Sequence, residues 1–571
     1  MSVGGKRHKD SLGYVRGYGR SRGSGYGYVT GGSMRLSSRR RMPRFLPYVL
    51  AIVGIVALVI VLVAGSAWLN YARFTRAARA LDAPSVAAAY TAGTNAPIPG
   101  SSPIFWWLVT RYVDSEFSRA ANAEAVDQAI EAFADTFTDA GDLVTEIVIP
   151  KAITAVDQYR NKVLEERVAG AYLGIAVRMR PQFADLISAQ ETYDILVASR
   201  AAFAAAKKAA QQPYGSEEAA ELFGLVAEID EENYAIAQAE IPELKRKANE
   251  EMTTWTAPVK HFTLNPLLAF PAMAPWDYSN DFITAVEFKR VLKQLFDNDY
   301  VLVGLETLFT VDDKGAVTPT QLRVPKEKKP LVLSIENLSY ATRHEGRGMV
   351  DRLVVSEDRI ATFTYAEHAG TDSDVISWDN DVIPILEQFI EDNPTFSWRG
   401  ARATISLAGY SGTFGYRTAY GNEDQQAQIA SAQEIADLLD EKGYTFASLG
   451  FEYLEMSTLE PEQIAFDAQS WIDQTGNIVG TTPLFFWPFG DVLPQDSEGA
   501  ALLRGLGYRS FTQIGPNSFE EFTGKARIDE RAFIDGNGLY NWPERYEGYF
   551  DAGAVIDTEG RDLMSYWLEW Y

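Results

Sequence analysis

Residues 331–340 read Leu-Val-Leu-Ser-Ile-Glu-Asn-Leu-Ser-Tyr, and this stretch decides the fold class. Apolar residues led in by Lys329-Pro330 and broken off at Glu336-Asn337 predict a buried strand with polar groups at its carboxyl end. On either side, strands and helices alternate. His261-Phe-Thr-Leu264 predicts an earlier strand, and Tyr300-Val-Leu-Val303 another. Between them Thr284-Ala-Val-Glu287 is a capping box, opening a helix through Phe288, Val291, Leu292 and Leu295. Downstream, helices are predicted over 382–390, 431–442, 461–474 and 498–506, and strands over 401–407, 445–448, 483–486 and 509–512. Such alternation over roughly 300 residues implies a parallel sheet, most simply a closed barrel, with functional groups at the carboxyl ends of its strands.

Upstream of the barrel the texture differs. Phe45 to Ala72 carries no charge, and Leu46 to Trp68 is almost wholly apolar. That length crosses a hydrocarbon core of about 30 Å. A buried core helix rarely runs so far without polar interruption. The apolar core of a cleaved signal peptide would be shorter and nearer the terminus, although the small residues Ala64-Gly-Ser-Ala67 leave cleavage open. Residues 1–45 hold eleven Lys/Arg against one acidic residue, Asp10, which places the N-terminus in the cytoplasm and the bulk of the chain outside. The Gly/Tyr/Arg/Ser-rich tail, 1–44, is expected to be disordered. Residues 45–72 form the anchor, and 73–250 a helical membrane-proximal region marked by the apolar stripe Val126, Ile130, Phe133, Phe137 and by breaks at Pro181, Pro213 and Pro242. The barrel occupies 257–571.

Charge and cysteine content exclude several functions. Removing the tail's eleven basic residues and one acidic residue from totals of 52 and 77 leaves 41 and 76, a net of about −35 outside the membrane. Nucleic acid is not a partner for so acidic a surface. With no cysteine, the chain has no disulfide, no thiolate metal site and no thiol nucleophile.

The motif order resembles the NodB-homology fold of carbohydrate esterase family four, the polysaccharide deacetylases, from near 257 to near 540. It is most similar to the extracellular deacetylase-like branch of Gram-positive bacteria. The resemblance is carried by Phe288-Lys289 with the Gly304 turn, Lys328-Lys-Pro-Leu-Val-Leu-Ser334, Asp381-Val-Ile-Pro-Ile385, Gly412-Thr-Phe-Gly-Tyr-Arg417 and Trp487-Pro-Phe-Gly490. It implies an α/β fold, a NodB-like (β/α) barrel preceded by a single transmembrane helix and an α-helical membrane-proximal region. It also implies a site of one Asp and two His on a divalent metal, with a second Asp as general base and a further His as general acid.

Carried over residue by residue, that site is emptied. Glu336 holds a carboxylate at the base position, but Asn337 stands at the metal Asp, and Leu449 and Tyr453 stand at the two metal His. An amide and a neutral phenol are poor ligands, and leucine is none. Around Phe486-Trp487-Pro488-Phe489-Gly490 the Pro and Gly remain while the family's Arg is absent. The chain has four histidines (His8, His261, His344 and His368), and a hydrogen-bonded structural role is expected of each of the three outside the tail. No cofactor is expected, and a divalent metal only if the chain is a divergent enzyme.

Three functions follow. The first is a membrane-anchored, deacetylase-like protein of the bacterial cell envelope that binds or scaffolds glycan without metal-dependent hydrolysis, with Tyr453, Trp487 and Asp491 touching sugar, helped by Phe451, Phe485 and Phe486. The second is a divergent deacetylase active on cell-wall polysaccharide. The third is an envelope assembly factor acting through residues 73–250. Carboxylates near strand ends, Glu336, Glu452, Asp491 and Asp535, also admit a glycosidase pair.

Overall fold

A computed structural model describes residues 46–558 apart from positions 124, 138, 140–142 and 423; the tail over 1–44 lies outside the described residues. Two compact units meet in sequence between Ala189 and Gln190. The division falls inside one helix, Ala184–Ala209.

The N-terminal unit is helical. Helix Leu46–Arg79 contains, within Ala51–Arg79, a stretch long and apolar enough to cross a membrane, followed by Arg73, Arg76 and Arg79. Ile52 to Leu62 stand exposed, whereas Ala67, Phe74 and Ala78 are buried. Helices Ala83–Thr94, Ser101–Ala121, Val126–Phe137, Ile149–Arg160 and Glu166–Met179 complete the unit. The stripe read at Val126, Ile130, Phe133 and Phe137 faces inward: Phe133 and Phe137 are buried and the other two half-buried. Phe117 lies 5.4 Å from Phe133 and stacks on Tyr172 at 4.6 Å.

The second unit opens with helices Ser216–Gly224 and Glu231–Glu251. Pro242 does not end the latter, contrary to the sequence expectation. The helix runs through it because Ala237, Leu244 and Ala248 are held in the core on both sides of the proline. Packing there outweighs the roughly 3 kcal/mol that an interior proline costs.

The barrel follows, with seven parallel strands: β1 Lys260–Leu264, β2 Lys329–Ile335, β3 Thr404–Leu407, β4 Thr445–Ser448, β5 Leu484–Phe486, β6 Ser510–Ile514 and β7 Arg527–Phe533. Neighbours in sequence pair in space, and β7 returns to β1 with Ala532 opposite Phe262, so the sheet closes. The fold is therefore an α/β barrel, as the strand–helix alternation predicts.

Two elements differ from expectation. Tyr300–Leu302 is a strand but not a stave of the barrel; it pairs with the first half of β2, whose second half pairs with β3, and beyond that makes a single bridge from Leu302 to Ser397. The missing stave is β7. Its sequence, Arg-Ile-Asp-Glu-Arg-Ala-Phe, is too charged to read as a central strand. The structure turns Ile528 and Ala532 outward and buries Arg527, Asp529 and Arg531 inside, where Arg527 pairs with Asp529 and Arg531 with Glu336.

Elsewhere β-strand alternation sorts side chains as a barrel requires. Leu331, Leu333 and Ile335 of β2 face outward against Phe288, Val291 and Leu292 of helix Ala285–Asp297, whose capping box at Thr284 and Glu287 forms as read. Val332 faces inward with Leu484 and Phe486. The hydrophilic stretch after β2 becomes an antiparallel meander, Arg352–Ser356, Arg359–Thr364 and Val375–Ser377.

Candidate functional site

At the carboxyl mouth of the barrel lies a cleft of about 500 Å³. Four of the seven staves end in it or one residue before it: Asn265 follows β1, Glu336 and Asn337 follow β2, Ile514 closes β6, and Phe533 closes β7 with Asp535 just beyond. The β4 and β5 loops add Tyr453 and Phe489. Tyr278, Arg343, His344 and Met349 wall the cleft further.

Glu336 sits at its floor, 3% exposed. Arg531, fully buried on β7, grips it with both nitrogens: Nε to Oε2 at 3.1 Å and Nη2 to Oε1 at 2.9 Å. The Tyr453 hydroxyl donates to Oε1 at 3.3 Å. Arg531 also donates to the Thr512 carbonyl at 2.8 Å and the Trp487 carbonyl at 3.1 Å, and its guanidinium lies 4.9 Å from the Phe486 ring centre. A permanent cation with five planar donors is therefore built into the mouth beside Glu336. Burial, with the Glu336 charge, pushes the Tyr453 phenol well above its usual range, so it stays a proton donor.

The positions matched to metal ligands serve other ends. Asn337 adopts a left-handed backbone, φ 48°, which asparagine tolerates better than most residues. Its Oδ1 accepts from the Ala408 N–H at 3.2 Å, tying β2 to the end of β3. Leu449 is fully buried in the barrel interior with Ala447, Leu484 and Phe486. Tyr453 is half-buried and bonded to Glu336. Among the described residues no group of three or more His, Asp and Glu side chains is placed to hold a metal ion. The side chains present do not fit the metal that the sequence resemblance implies.

One layer below, His261 bridges Ser334 and Asp529, with Nε2 2.8 Å from Ser334 Oγ and Nδ1 2.9 Å from Asp529 Oδ2. The order of atoms is that of a Ser-His-Asp acyl-transfer triad. All three residues are at most 2% exposed, however, so no substrate carbonyl reaches the serine. Thr512 donates to Asp529 at 2.7 Å and Arg527 pairs with it at 3.0 Å. The Asp529 carboxyl is held at about 2: burial raises it, but the Arg527 charge and the hydrogen bonds from His261 and Thr512 lower it further. Burial pushes the His261 imidazole down and keeps it neutral, despite Asp529. This layer is structural, in line with the role expected of His261. His344 is likewise engaged: its Nε2 accepts from Arg343 Nε at 3.0 Å, so Nδ1 carries the proton facing the Tyr278 oxygen at 2.8 Å. His368 pairs with Asp351 at 2.7 Å.

The sugar-touching residues need correction. Trp487 is fully buried, stacked on Phe511 at 5.5 Å beside Phe485, and only its carbonyl serves the mouth, as an acceptor for Arg531. Phe485 and Phe486 are buried too. The alternation of β5 continues into its loop and points 485 and 487 outward under the helices. Asp491 does not line the cleft; its carboxylate accepts from the Ser457 N–H at 2.6 Å and fixes the β4 loop. The ring that does stand free is Phe489, 57% exposed and 4.5 Å from the Tyr453 ring. It holds a left-handed backbone, φ 57°, a cost that an aromatic residue pays only where a turn is fixed by its surroundings. Reading the turn after Pro488 as left-handed would have singled it out.

Two buried carboxylates hold loops of the mouth in a way the sequence reading did not assign, although Asp381 stands in a stretch quoted above. Asp467 accepts from Phe451 N at 2.9 Å and Glu452 N at 2.8 Å, shaping the loop that carries Tyr453. Asp381 accepts from Leu267 N at 2.9 Å and Val382 N at 2.8 Å and from the Tyr340 hydroxyl, joining the loops after β1 and β2 to a helix start. Apart from the cap that Asp381 gives its neighbour Val382, the partners lie 15 to 114 residues away, so the sequence carries no local signal for these contacts.

No family model and no curated protein matches the chain. Among solved structures, one that is similar is the Streptococcus pyogenes deacetylase PplD in complex with acetate, at 11% identity and a TM-score of 0.28, over 50% of this chain and 95% of that one.

Proposed function

We propose that this chain is a membrane-anchored, deacetylase-like barrel that binds glycan at the bacterial cell envelope and does not carry out metal-dependent hydrolysis, with its N-terminus cytoplasmic and its barrel outside. The observation that carries the reading is the bidentate Arg531–Glu336 pair at 2.9 and 3.1 Å. Both oxygens of the one acid at the base position are engaged by a guanidinium, and Asn337, Leu449 and Tyr453 are engaged in the fold. With an amide, a leucine and a neutral phenol at the implied ligand positions, the side chains there are a poor set for holding a metal that would activate water, and the acid that would take its proton is held by Arg531.

The cleft suits sugar. The Phe489 and Tyr453 rings offer apolar faces, and Asn265, Asp281 and Arg343 offer polar groups around them. Calorimetric titration of the full chain in detergent with an acetylated chito-oligomer tests this. Saturable binding is expected, weakened roughly five- to tenfold by Phe489→Ala and by less in Trp487→Phe, which leaves the cleft lining unchanged. Absence of binding to chito-oligomer and to peptidoglycan fragments would remove the glycan reading.

A further inference from the structure

Residues 83–110, between Asp82 and Arg111, contain no charged residue. They form two helices and the turn between them: Ala83–Thr94, then Ser101 onward to Ala121. The first runs back along helix Leu46–Arg79, and the second returns. Phe74 fixes the packing, lying 6.4 Å from Tyr90, 6.3 Å from Phe105 and 6.1 Å from Tyr112. The turn reaches Val63: a Cβ placed on Gly100 would lie 3.7 Å from Val63 Cγ1.

That level is inside the apolar span. At 1.5 Å per residue, a core of about 30 Å takes about 20 residues, from Leu46 to near Ser66. Val63, and the turn beside it, fall just within its outer edge. Moving up the returning helix, Trp106 and Trp107 come level with Trp68 and Tyr71 of the span; they are 38% and 52% exposed, and Ile104 is 38% exposed. Trp68 and Tyr71 pack at 5.6 Å, and Tyr71 meets Tyr112 at 6.3 Å. Tryptophans ringed at one height beside an apolar span are the arrangement that suits a headgroup boundary. Hydroxyls in the hairpin bond to nearby carbonyls: Thr94 to Tyr90 at 3.1 Å, Ser101 to Ile98 at 2.8 Å and Thr110 to Trp106 at 2.8 Å. The first cation, Arg111, stacks over Trp107 at 4.6 Å.

We infer that the hairpin of helices Ala83–Thr94 and Ser101–Ala121 dips its 95–107 tip into the outer leaflet as a second, shallow membrane contact beside the span. It rests on helix Leu46–Arg79 crossing the membrane. A rod-like anchor alone would let the helical unit tilt freely; two contacts fix that unit's orientation on the bilayer. The occupant is lipid because the surface below Trp106 is continuous with the span, built from the uncharged stretch 83–110 and bordered by tryptophan; the carboxylate nearest it, Glu146, accepts from the Trp106 indole at 3.2 Å, at the height assigned to the headgroups.

The absence of cysteine makes the test clean. Single cysteines at Ile60, Pro99, Ile104 and Asp157 in the full chain are labelled with an environment-sensitive fluorophore and reconstituted in phosphatidylglycerol–phosphatidylethanolamine vesicles. Each is quenched with acyl-brominated lipid and with aqueous iodide. Labels at Ile60, Pro99 and Ile104 are expected to lose most of their emission to bromolipid, and the label at Asp157 to iodide. If Ile60 responds to bromolipid while Pro99 and Ile104 respond to iodide, the span stands and the hairpin contact is wrong. If neither quencher reaches Pro99 and Ile104, protein covers them and the lipid assignment is overturned. If Ile60 itself responds to iodide, the span fails and the inference with it.

Discussion

Arg531 is the residue on which the mouth of the barrel turns. Fully buried beside a 3%-exposed Glu336, it forms the kind of ion pair whose removal from one side is expensive, because a lone charge is left out of water. Arg531→Met should cost about 3–5 kcal/mol in chemical denaturation. Adding Glu336→Gln removes the orphaned charge and should recover a large part of that loss, so the double-mutant cycle shows strong coupling. Additive losses would mean that the two side chains do not depend on each other. The sequence displayed Glu336, Asn337, Leu449 and Tyr453 because each sits at a legible strand end. It did not display Arg531, whose role depends on a partner 195 residues away. Trp487 was misread for a related reason: an aromatic side chain beside a pocket is outside or inside according to strand register, which composition does not reveal.

At the level of elements, six of the seven staves were legible as apolar runs of four to seven residues between helices. The seventh, β7, violates the pattern, since Arg527, Asp529 and Arg531 line the interior where apolar side chains are usual. Their charges are balanced by Glu336 and by each other, a balance made only when the barrel closes. A second buried acid joins elements from further apart. Burial pushes the Asp381 carboxyl up to about 6, against the lowering effect of its bonds from Tyr340, Leu267 and Val382. A raised carboxyl pKa in the folded state means that the fold holds the proton more tightly than the unfolded chain. The resulting stability is full below the unfolded value of about 4 and is lost as pH rises through about 6. His261 acts in the other direction. Its lowered value keeps it neutral when folded, so its contribution is full above about 6.5 and is lost as pH falls below it. Asp381→Asn removes only the first effect. Its destabilisation, relative to the parent, should be larger at pH 4.5 than at pH 8, by on the order of 2 kcal/mol. A penalty independent of pH would show that Asp381 does not change protonation in this range.

For the whole molecule, length, charge and one apolar segment prefigured a chain with a membrane-competent helix, a helical region and a barrel. Where the compact units divide, inside helix Ala184–Ala209, was not legible, because a helix shared between two cores has no break in its sequence. The functional reading joins these scales: an α/β barrel, an internal arginine paired with Glu336 at its mouth, and a cleft faced by Phe489 and Tyr453. Acetate release from acetylated chito-oligomer and peptidoglycan, followed on the full chain after equilibration with zinc, cobalt or nickel and read together with metal bound per chain, confronts this reading directly. The expected result is no acetate above the metal-and-buffer blank and no stoichiometric metal. Acetate released in step with about one metal per chain would contradict it and make the chain a divergent deacetylase.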